Sequence, residues 1–177
     1  RIGDAYLAKL EVFLKTQVNA EEIDRSGEIP PLVMKGLASL GAFGMKIPTE
    51  YGGLGLSQVN YNRALALICG HCASTAALLS AHQSIGVPQP LMLFGNDEQK
   101  KKFLPRLARG AVSAFALTEP EVGSDPARMC TTAVLSEDGK HYVINGTKLW
   151  CTNGGIAELM VVMAQTPAII KKGREKK

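Results

Sequence analysis

The chain has 177 residues, 46% of them hydrophobic and 20% charged, which is enough apolar material for a globular core. Its net charge of +4 equals that of the last seven residues, which carry five positive side chains and one negative. We expect this tail to be a solvated loop or chain end, and the absence of a basic stripe argues against a nucleic-acid partner. Polar residues and prolines interrupt the uncharged stretch from Ala64 to Asn96, which argues against a membrane span.

Two helices are predicted in the first forty residues. Apolar residues recur at approximately helical spacing from Asp4 to Val18, and Asp4 is the predicted N-cap. The segment from Ala20 to Arg25 is charged and short, and no helix is predicted there. The second helix should begin at Pro30 and Pro31, where a missing N–H costs least, and continue to Leu40.

The segment from Ile47 to Ser57 holds one proline and three glycines and is predicted to be a loop. Its glycines are compatible with a phosphate-binding loop or with a tight turn that leads to a helix capped by Ser57. The turn is favoured, because neither a GxGxxG nor a GK[ST] pattern is present.

Buried helices are predicted next, followed by a surface helix. The buried ones cover residues 58–69 and 72–84, with a break near Pro88 and Pro90 and a short apolar turn at 91–94. The surface helix, residues 97–109, has a charged face and an apolar face. Asn96 or Asp97 should cap it, and Gly110 should end it.

Cys69 and Cys72 form a CGHC motif, whose spacing is that of dithiol oxidoreductases. A redox CxxC opens a helix after a strand, whereas this one lies inside a helix-like apolar run. We therefore interpret both thiols as buried small residues, and we predict no metal site.

After Gly110 the pattern changes to short runs rich in β-branched and aromatic residues. We predict a helical domain over residues 1–110 and an incomplete β domain over 111–177. Turn signals such as Asn145-Gly146 separate the runs. The predicted strands cover residues 112–117, 129–135, 142–149 and 159–164.

Two segments of the β region concentrate the functional signals. AFALTEPEVGSD (Ala114 to Asp125) passes from a strand to Thr118 and then to a Gly-Ser-Asp turn. GTKLWCTNGG (Gly146 to Gly155) places Trp150 two residues from Thr152. Ring faces, hydroxyls and backbone amides in this order suit a flat heteroaromatic cofactor with a phosphate tail. Taken singly, each residue could equally be a strand end, a turn or a core aromatic.

These two segments, together with IPTEYGGLGLS and FGNDEQKKKFLPRLARG, resemble the acyl-CoA dehydrogenase family. AHQSIG and AQTP are most similar to its very-long-chain branch. The resemblance implies an α+β multidomain fold, in which an all-α N-terminal domain is followed by an antiparallel β-barrel-like middle domain, incomplete here. It also implies a C-terminal four-helix bundle that is not present in this chain.

The resemblance further implies bound FAD. Phe115, Leu117 and Thr118 would line the flavin ring, with Thr118 hydrogen-bonded to its pyrimidine edge, and Gly123 would be a further cofactor-binding residue. Ser124 would reach the substrate or the phosphate region of the cofactor. Trp150, Cys151 and Thr152 would cover the other side, with Thr152 bonded to flavin N5. Cys151 replaces the isoleucine or valine that is commoner in the family.

The implied reaction oxidises a fatty acyl-CoA to the trans-2-enoyl-CoA and passes electrons to an electron-transfer flavoprotein. The family's catalytic base is a glutamate of the C-terminal bundle, so no catalytic residue is assigned in this chain. The helices from Ala64 to Phe94 would wall the acyl channel. A homodimer or homotetramer in the cytoplasm or mitochondrial matrix is expected. An acyl-CoA oxidase and a non-catalytic scaffold with the same fold are the alternatives.

Overall fold

The computed structural model describes residues 2–167, 169–171 and 174–176. The chain divides into two compact units. The first, called here the helical unit, comprises Arg1–Ala114 and Thr152–Met160. The second, called the strand unit, comprises Phe115–Cys151 and Val161–Lys177.

Helices dominate the first 110 residues, and short 3₁₀ turns at Ala42–Gly44 and Thr49–Tyr51 join some of them. A segment of π-helix, Ala81–Ile85, continues directly from one helix, which is α5 in the numbering used here. The α-helices of the described residues are α1 (Ile2–Gln17), α2 (Ala20–Ser26), α3 (Pro31–Ser39), α4 (Gln58–His71), α5 (Ala73–Ser80), α6 (Pro88–Phe94) and α7 (Asp97–Ala108).

One hydrophobic core holds the helical unit together. Leu10 and Leu14 of α1 lie four residues apart on one helix face, and both are buried against the other helices. Leu37, Tyr61 and Ile68 extend the same cluster. Helices α1, α3, α4 and α7 each bury several apolar side chains, whereas α2 buries only Ile23 and α6 only Pro88.

The π segment lies on this core and brings two polar side chains into it. His82 and Gln83 are both fully buried. The Gln83 amide donates to the Ala42 carbonyl (2.6 Å), and the His82 Nε2–H donates to the Phe43 carbonyl (3.0 Å). Both acceptors are carbonyls of the adjacent 3₁₀ turn, so the two side chains attach the π segment to that turn.

The described strands form three two-stranded pairs, β1–β4, β2–β3 and β5–β6. The pairs β2–β3 and β5–β6 are antiparallel. Glu158 N–H donates to Val112 O and Met163 N–H donates to Ala116 O, so β1 and β4 run in the same direction. The strands are β1 (Ser113–Ala116), β2 (Thr132–Leu135), β3 (Tyr142–Asn145), β4 (Leu159–Val162), β5 (Ile169–Lys171) and β6 (Arg174–Lys176).

Several helix boundaries differ from the predicted ones. Helix α1 begins at Ile2, so Asp4 lies inside its first turn and is not the N-cap. Residues 20–26, for which no helix was predicted, form α2, because Asn19 caps it and Ile23 is buried in the core. The predicted break near Pro88 is present at residues 86–87, but the apolar turn predicted at 91–94 is part of helix α6, which begins at Pro88, a first-turn position that loses no helical hydrogen bond.

Cys69 and Cys72 were both expected to be buried, and this is wrong for Cys69, which is exposed near the end of α4. Cys72 is buried and forms the junction between α4 and α5. The error arises because a run of small and apolar residues does not reveal which turn of the helix faces the solvent.

Two expectations for the β region also require correction. The third predicted strand, residues 142–149, ends at Asn145, because Gly146 leaves the strand conformation at φ +156°. The basic tail was expected to be a loop or chain end, but Lys171 ends β5 and residues 174–176 form β6. Charged side chains are common on edge strands, so composition alone does not distinguish a charged edge strand from a charged loop. Residues 172, 173 and 177 of the tail lie outside the described residues.

Candidate functional site

The two segments singled out in the sequence run side by side within the strand unit. The backbone N–H of Leu149 donates to the carbonyl of Thr118 (2.8 Å), and the Cys151 thiol donates to the carbonyl of Phe115 (3.1 Å). Phe115, Leu117 and Thr118 are all partly buried. The residues around Thr118 and those that lead to Trp150 are thus neighbours in the structure, although about thirty residues separate them in the sequence.

A buried ion pair joins these segments. Lys148 Nζ lies 2.8 Å from Glu119 Oε1 and also donates to the carbonyl of Leu117 (2.9 Å). The Glu119 carboxylate, only 5% exposed, accepts the backbone N–H groups of Cys130 and Thr131 as well. The hydrogen bond from Lys148, with those of Thr131 and Cys130, lowers the pKa of Glu119 to about 2. Glu119 is therefore a fixed anion that braces the turn.

Gly123 and Ser124 lie on an exposed loop. Glu119 and Val122 exchange two backbone hydrogen bonds, which close a tight turn immediately before these residues. No atom lies within 4 Å of the position that a Cβ on Gly123 would occupy, and Ser124 is exposed. The loop has room for a ligand, but among the described residues no hydrogen bond fixes the orientation of the Ser124 hydroxyl.

Trp150 and Asn153 are the non-glycine residues of positive φ in the described chain, at +54° and +67°. Asparagine tolerates this region, whereas for tryptophan it is unusual. Trp150 is also 87% exposed, so its ring face is not used in the packing of the strand unit. Strained backbone and an exposed aromatic ring in one turn indicate a binding segment.

Thr152 opens onto a cavity of about 830 Å³ within the helical unit. That volume is in the range of ligand and cofactor pockets. Its walls are mainly apolar and come from α2, α3, the connection between them, α5 and the Thr152 turn. The lining residues are Ile23, Gly27, Glu28, Ile29, Pro31, Met34, Lys35, Ser74, Ala77, Leu78, Val112, Thr152, Asn153 and Ile156.

Sequence reasoning identified Thr152 as a site residue but missed most of this cavity. The α2–α3 connection carries no chemical motif; it reaches the cavity only because Gly27 ends α2 in the left-handed conformation and Pro30 precedes α3. Asn153 was also missed, although an Asn-Gly-Gly turn beside a candidate ligand residue was a usable signal.

Two further properties of the described residues bear on function. Among them, no group of three or more His, Cys, Asp or Glu side chains is placed to hold a metal ion. Within the same residues, no helix has both the length and the hydropathy required to cross a membrane.

Comparison with known proteins assigns the chain to a family. The model described as the acyl-CoA dehydrogenase N-terminal domain matches residues 4–111, and the model of the middle domain of the same family matches residues 114–176. The probable acyl-CoA dehydrogenase FadE10 of Mycobacterium tuberculosis is 58% identical over 164 residues, which are 93% of this chain and 25% of that protein. The human very long-chain specific acyl-CoA dehydrogenase, mitochondrial, is 48% identical over 134 residues, which are 75% of this chain and 20% of that protein.

Solved structures agree with these matches. An acyl-CoA dehydrogenase from Bacillus anthracis, complexed with FAD, superposes with a TM-score of 0.81 at 38% identity, over 93% of this chain and 28% of that one. The expected fold class, helical N-terminal part followed by a partial sheet domain, is confirmed. The chain spans about a quarter of the length of the FadE10 relatives that it matches. With both domain models matched in order along nearly its whole length, the chain belongs to the acyl-CoA dehydrogenase family.

Proposed function

We propose that the protein is an FAD-dependent acyl-CoA dehydrogenase that oxidises a fatty acyl-CoA to the trans-2-enoyl-CoA and passes electrons to an electron-transfer flavoprotein. The observation that carries the proposal is Thr152, which lies at the wall of a large, mainly apolar cavity in a chain of this family. Relatives named very long-chain specific acyl-CoA dehydrogenase support a fatty acyl substrate.

The residues present fit FAD. A flavin needs an apolar slot for its ring, hydroxyl or amide groups for its polar edge, and room for its phosphates. The cavity of the helical unit supplies an apolar slot, and the hydroxyl residues Ser74 and Thr152 are part of its lining. Within the strand unit, taken by itself, partly buried Phe115, Leu117 and Thr118 and the exposed ring of Trp150 offer apolar surface and a hydroxyl.

Each site residue has a proposed role. Phe115 and Leu117 contact the ring, Thr118 binds its pyrimidine edge, and Gly123 and Ser124 approach the phosphates, with Ser124 also near the substrate. Trp150, Cys151 and Thr152 cover the second side, and the Thr152 hydroxyl bonds to N5. FAD, when bound, supplies the acceptor for the hydride that leaves the acyl chain.

The cavity walls suit an acyl chain. Ala77 and Leu78 of α5 present apolar side chains, and Ser74 is the one hydroxyl that α5 adds to the lining. An acyl chain gains roughly 0.8 kcal/mol for each methylene that such a wall takes out of water. The α5 wall would thereby favour long fatty acyl groups over short ones.

No glutamate of this chain is proposed as the base that removes the α proton. Glu119 is held as an anion by Lys148 and two backbone N–H groups, so it is committed to structure. Glu158 lies 3.5 Å from Arg106 at the surface. We propose that the base comes from sequence beyond these 177 residues, in a homodimer or homotetramer of the cytoplasm or mitochondrial matrix.

The test is a titration of the purified complete gene product with acyl-CoAs of graded chain length, followed by the visible absorbance of the flavin. We expect a bound flavin that is bleached by long acyl-CoAs. A protein that takes up no FAD, or whose flavin no acyl-CoA reduces, would contradict the proposal and favour a scaffold. Hydrogen peroxide formed in place of reduced electron-transfer flavoprotein would identify an acyl-CoA oxidase.

A pair of Thr152 variants tests the site itself. Thr152→Val removes the hydroxyl and keeps the shape, so we expect kcat to fall at least about tenfold, as when one hydrogen-bond donor is lost from a reacting centre. Thr152→Ser keeps the hydroxyl and serves as the matched control, with activity close to that of the wild type. Equal activities in the two variants would refute the assigned role of Thr152.

A further inference from the structure

Asn153, the neighbour of Thr152 in the cavity wall, joins two elements through one side chain. Its Nδ2 donates to the carbonyl of Leu78 (3.0 Å) and to the carbonyl of Ser113 (3.2 Å). Leu78 lies in the last turn of α5 and Ser113 begins β1. One amide group thus connects a helix, a strand and the turn that carries Thr152.

The side-chain chemistry required at this position is narrow. A single nitrogen that donates two hydrogen bonds in different directions is provided by an amide NH₂, whereas a carboxylate of the same shape donates none. The backbone at Asn153 has φ +67°, which asparagine accepts more readily than most residues. Glycine would suit the backbone equally well but would lose both bonds.

The strand residue that receives one of these bonds is itself fixed from the other side. Ser113 N–H donates to Nδ1 of His82 (3.1 Å), so His82 carries its proton on Nε2 and donates it to Phe43 O (3.0 Å). Ser113 and His82 are fully buried. Asn153 is therefore attached to a rigid part of the helical unit, since every group in this chain of bonds has a partner.

We propose that Asn153 is a positioning residue for Thr152. Its amide anchors the turn to α5 and β1 and so holds the Thr152 hydroxyl at the cavity wall, aligned with the reacting edge of the ligand. The inference rests on the proposed function, because it takes the ligand at Thr152 to be the flavin. It goes beyond that function by assigning the alignment of Thr152 to one amide group and two named carbonyls.

A simpler role for Asn153 makes a different prediction. If asparagine is present only because its backbone accepts a positive φ, Asn153→Gly should be as good as the wild type or better. If the two hydrogen bonds matter, Asn153→Gly should loosen the turn although its backbone is favoured. Asn153→Asp should loosen it further, since its carboxylate would face two carbonyl oxygens.

The experiment uses the complete gene product as wild type, Asn153→Gly, Asn153→Asp and, as control, Asn96→Ala. Asn96 is also an asparagine with a structural hydrogen bond, at the N-cap of α7 and outside the cavity lining. Hydrogen exchange of residues 150–156 is measured in protein stripped of flavin. The flavin midpoint potential, kcat and KM for acyl-CoA are measured after reconstitution with FAD.

We expect faster exchange of residues 150–156 in both Asn153 variants, a shifted flavin potential, and kcat reduced by about 10- to 100-fold with little change in KM. The control should lower thermal stability without moving these readouts. In a double-mutant cycle, Asn153→Gly combined with Thr152→Val should cost less than the sum of the single effects, because one residue acts through the other.

Two results would overturn the inference: a folded Asn153→Gly protein with unchanged exchange and unchanged potential, or full additivity with Thr152→Val. A wild-type protein that takes up no flavin would overturn the proposed function and, with it, the role of Asn153 toward the flavin. The exchange experiment needs no flavin, so it alone decides whether the amide holds the turn.

Discussion

At the scale of single residues, two ionisable side chains are held in one state by their surroundings. His82 is fully buried, and this burial lowers its pKa to about 4, so it is neutral near pH 7. Glu119 is held in its charged form by Lys148 and the neighbouring N–H groups. In both cases the unfolded chain binds a proton at a higher pH than the folded one, so acid favours unfolding.

The two groups act in different pH windows. For His82, stability is lost as the pH falls from about 6.5 toward about 4, by about 3 kcal/mol in total at about 1.4 kcal/mol per pKa unit. For Glu119 the loss lies between its ordinary pKa of 4.5 and about 2. Denaturant unfolding from pH 7 to 3 should therefore show a shallower slope above pH 4 in His82→Gln than in the wild type. His141→Gln, at an exposed histidine, is the control, and identical slopes in all three proteins would contradict the argument.

Breaking the Glu119–Lys148 pair should destabilise the protein far more than breaking a surface pair. Lys148→Met leaves a buried carboxylate without its cation, so we expect the melting temperature to fall by roughly 10 °C. Lys15→Met breaks the exposed Glu11–Lys15 pair and should change it little. Differential scanning calorimetry of both variants tests this, and similar small shifts in both would refute it.

At the scale of elements, features set by neighbouring residues could be predicted from the sequence, whereas features set by contacts between distant residues could not. The cap of α7 was predicted to be Asn96 or Asp97, and the structure has Asn96, which forms a capping box with Gln99 within four residues. The π segment was not, because its cause is remote in sequence: His82 and Gln83 bond to carbonyls about 40 residues away. For the same reason the sequence indicated Thr118, Trp150 and Thr152 as site residues, but neither the α2–α3 wall of the cavity nor the bonds of Asn153.

The position directly after the β2–β3 hairpin accommodates only glycine. Gly146 follows β3 with φ +156°, and a Cβ there would lie 2.3 Å from Oγ1 and 2.7 Å from Cα of Thr131, a buried residue. We expect Gly146→Ala to lower the free energy of unfolding by roughly 1–3 kcal/mol through this overlap. Gly139→Asn, in the hairpin turn, is the control, because asparagine tolerates its φ of +67° and a Cβ there meets no atom within 4 Å. Urea unfolding measures both, and a neutral Gly146→Ala would show that the hairpin shifts freely.

At the scale of the whole molecule, the β2–β3 hairpin exposes several large apolar side chains. Val134, Leu135, Tyr142, Val143 and Ile144 are each at least half exposed. Contiguous apolar surface of this kind marks a place where other protein packs. Relatives about four times longer than this chain have ample sequence to cover it.

The isolated 177-residue polypeptide should not catalyse the proposed reaction. Glu119 is committed to its ion pair with Lys148, and the base of the proposed reaction is proposed to come from outside these 177 residues. With FAD added, we expect no acyl-CoA-dependent reduction of an artificial dye, whereas the complete gene product should reduce it. Dye reduction by the isolated polypeptide would show that it holds a base of its own.

The path of the chain through the helical unit has a consequence for its biosynthesis. That unit is discontinuous: it includes Thr152–Met160, which the ribosome makes only after the 37 residues from Phe115 to Cys151. At roughly 5–20 residues per second, this delay is about 2 to 7 seconds. During that interval the carbonyls of Leu78 and Ser113 have no bond to the amide of Asn153, and the part of the cavity wall around Thr152 has not yet been made. The core residues of the unit, from Tyr6 to Val112, are thus all synthesised before the turn that completes the cavity wall.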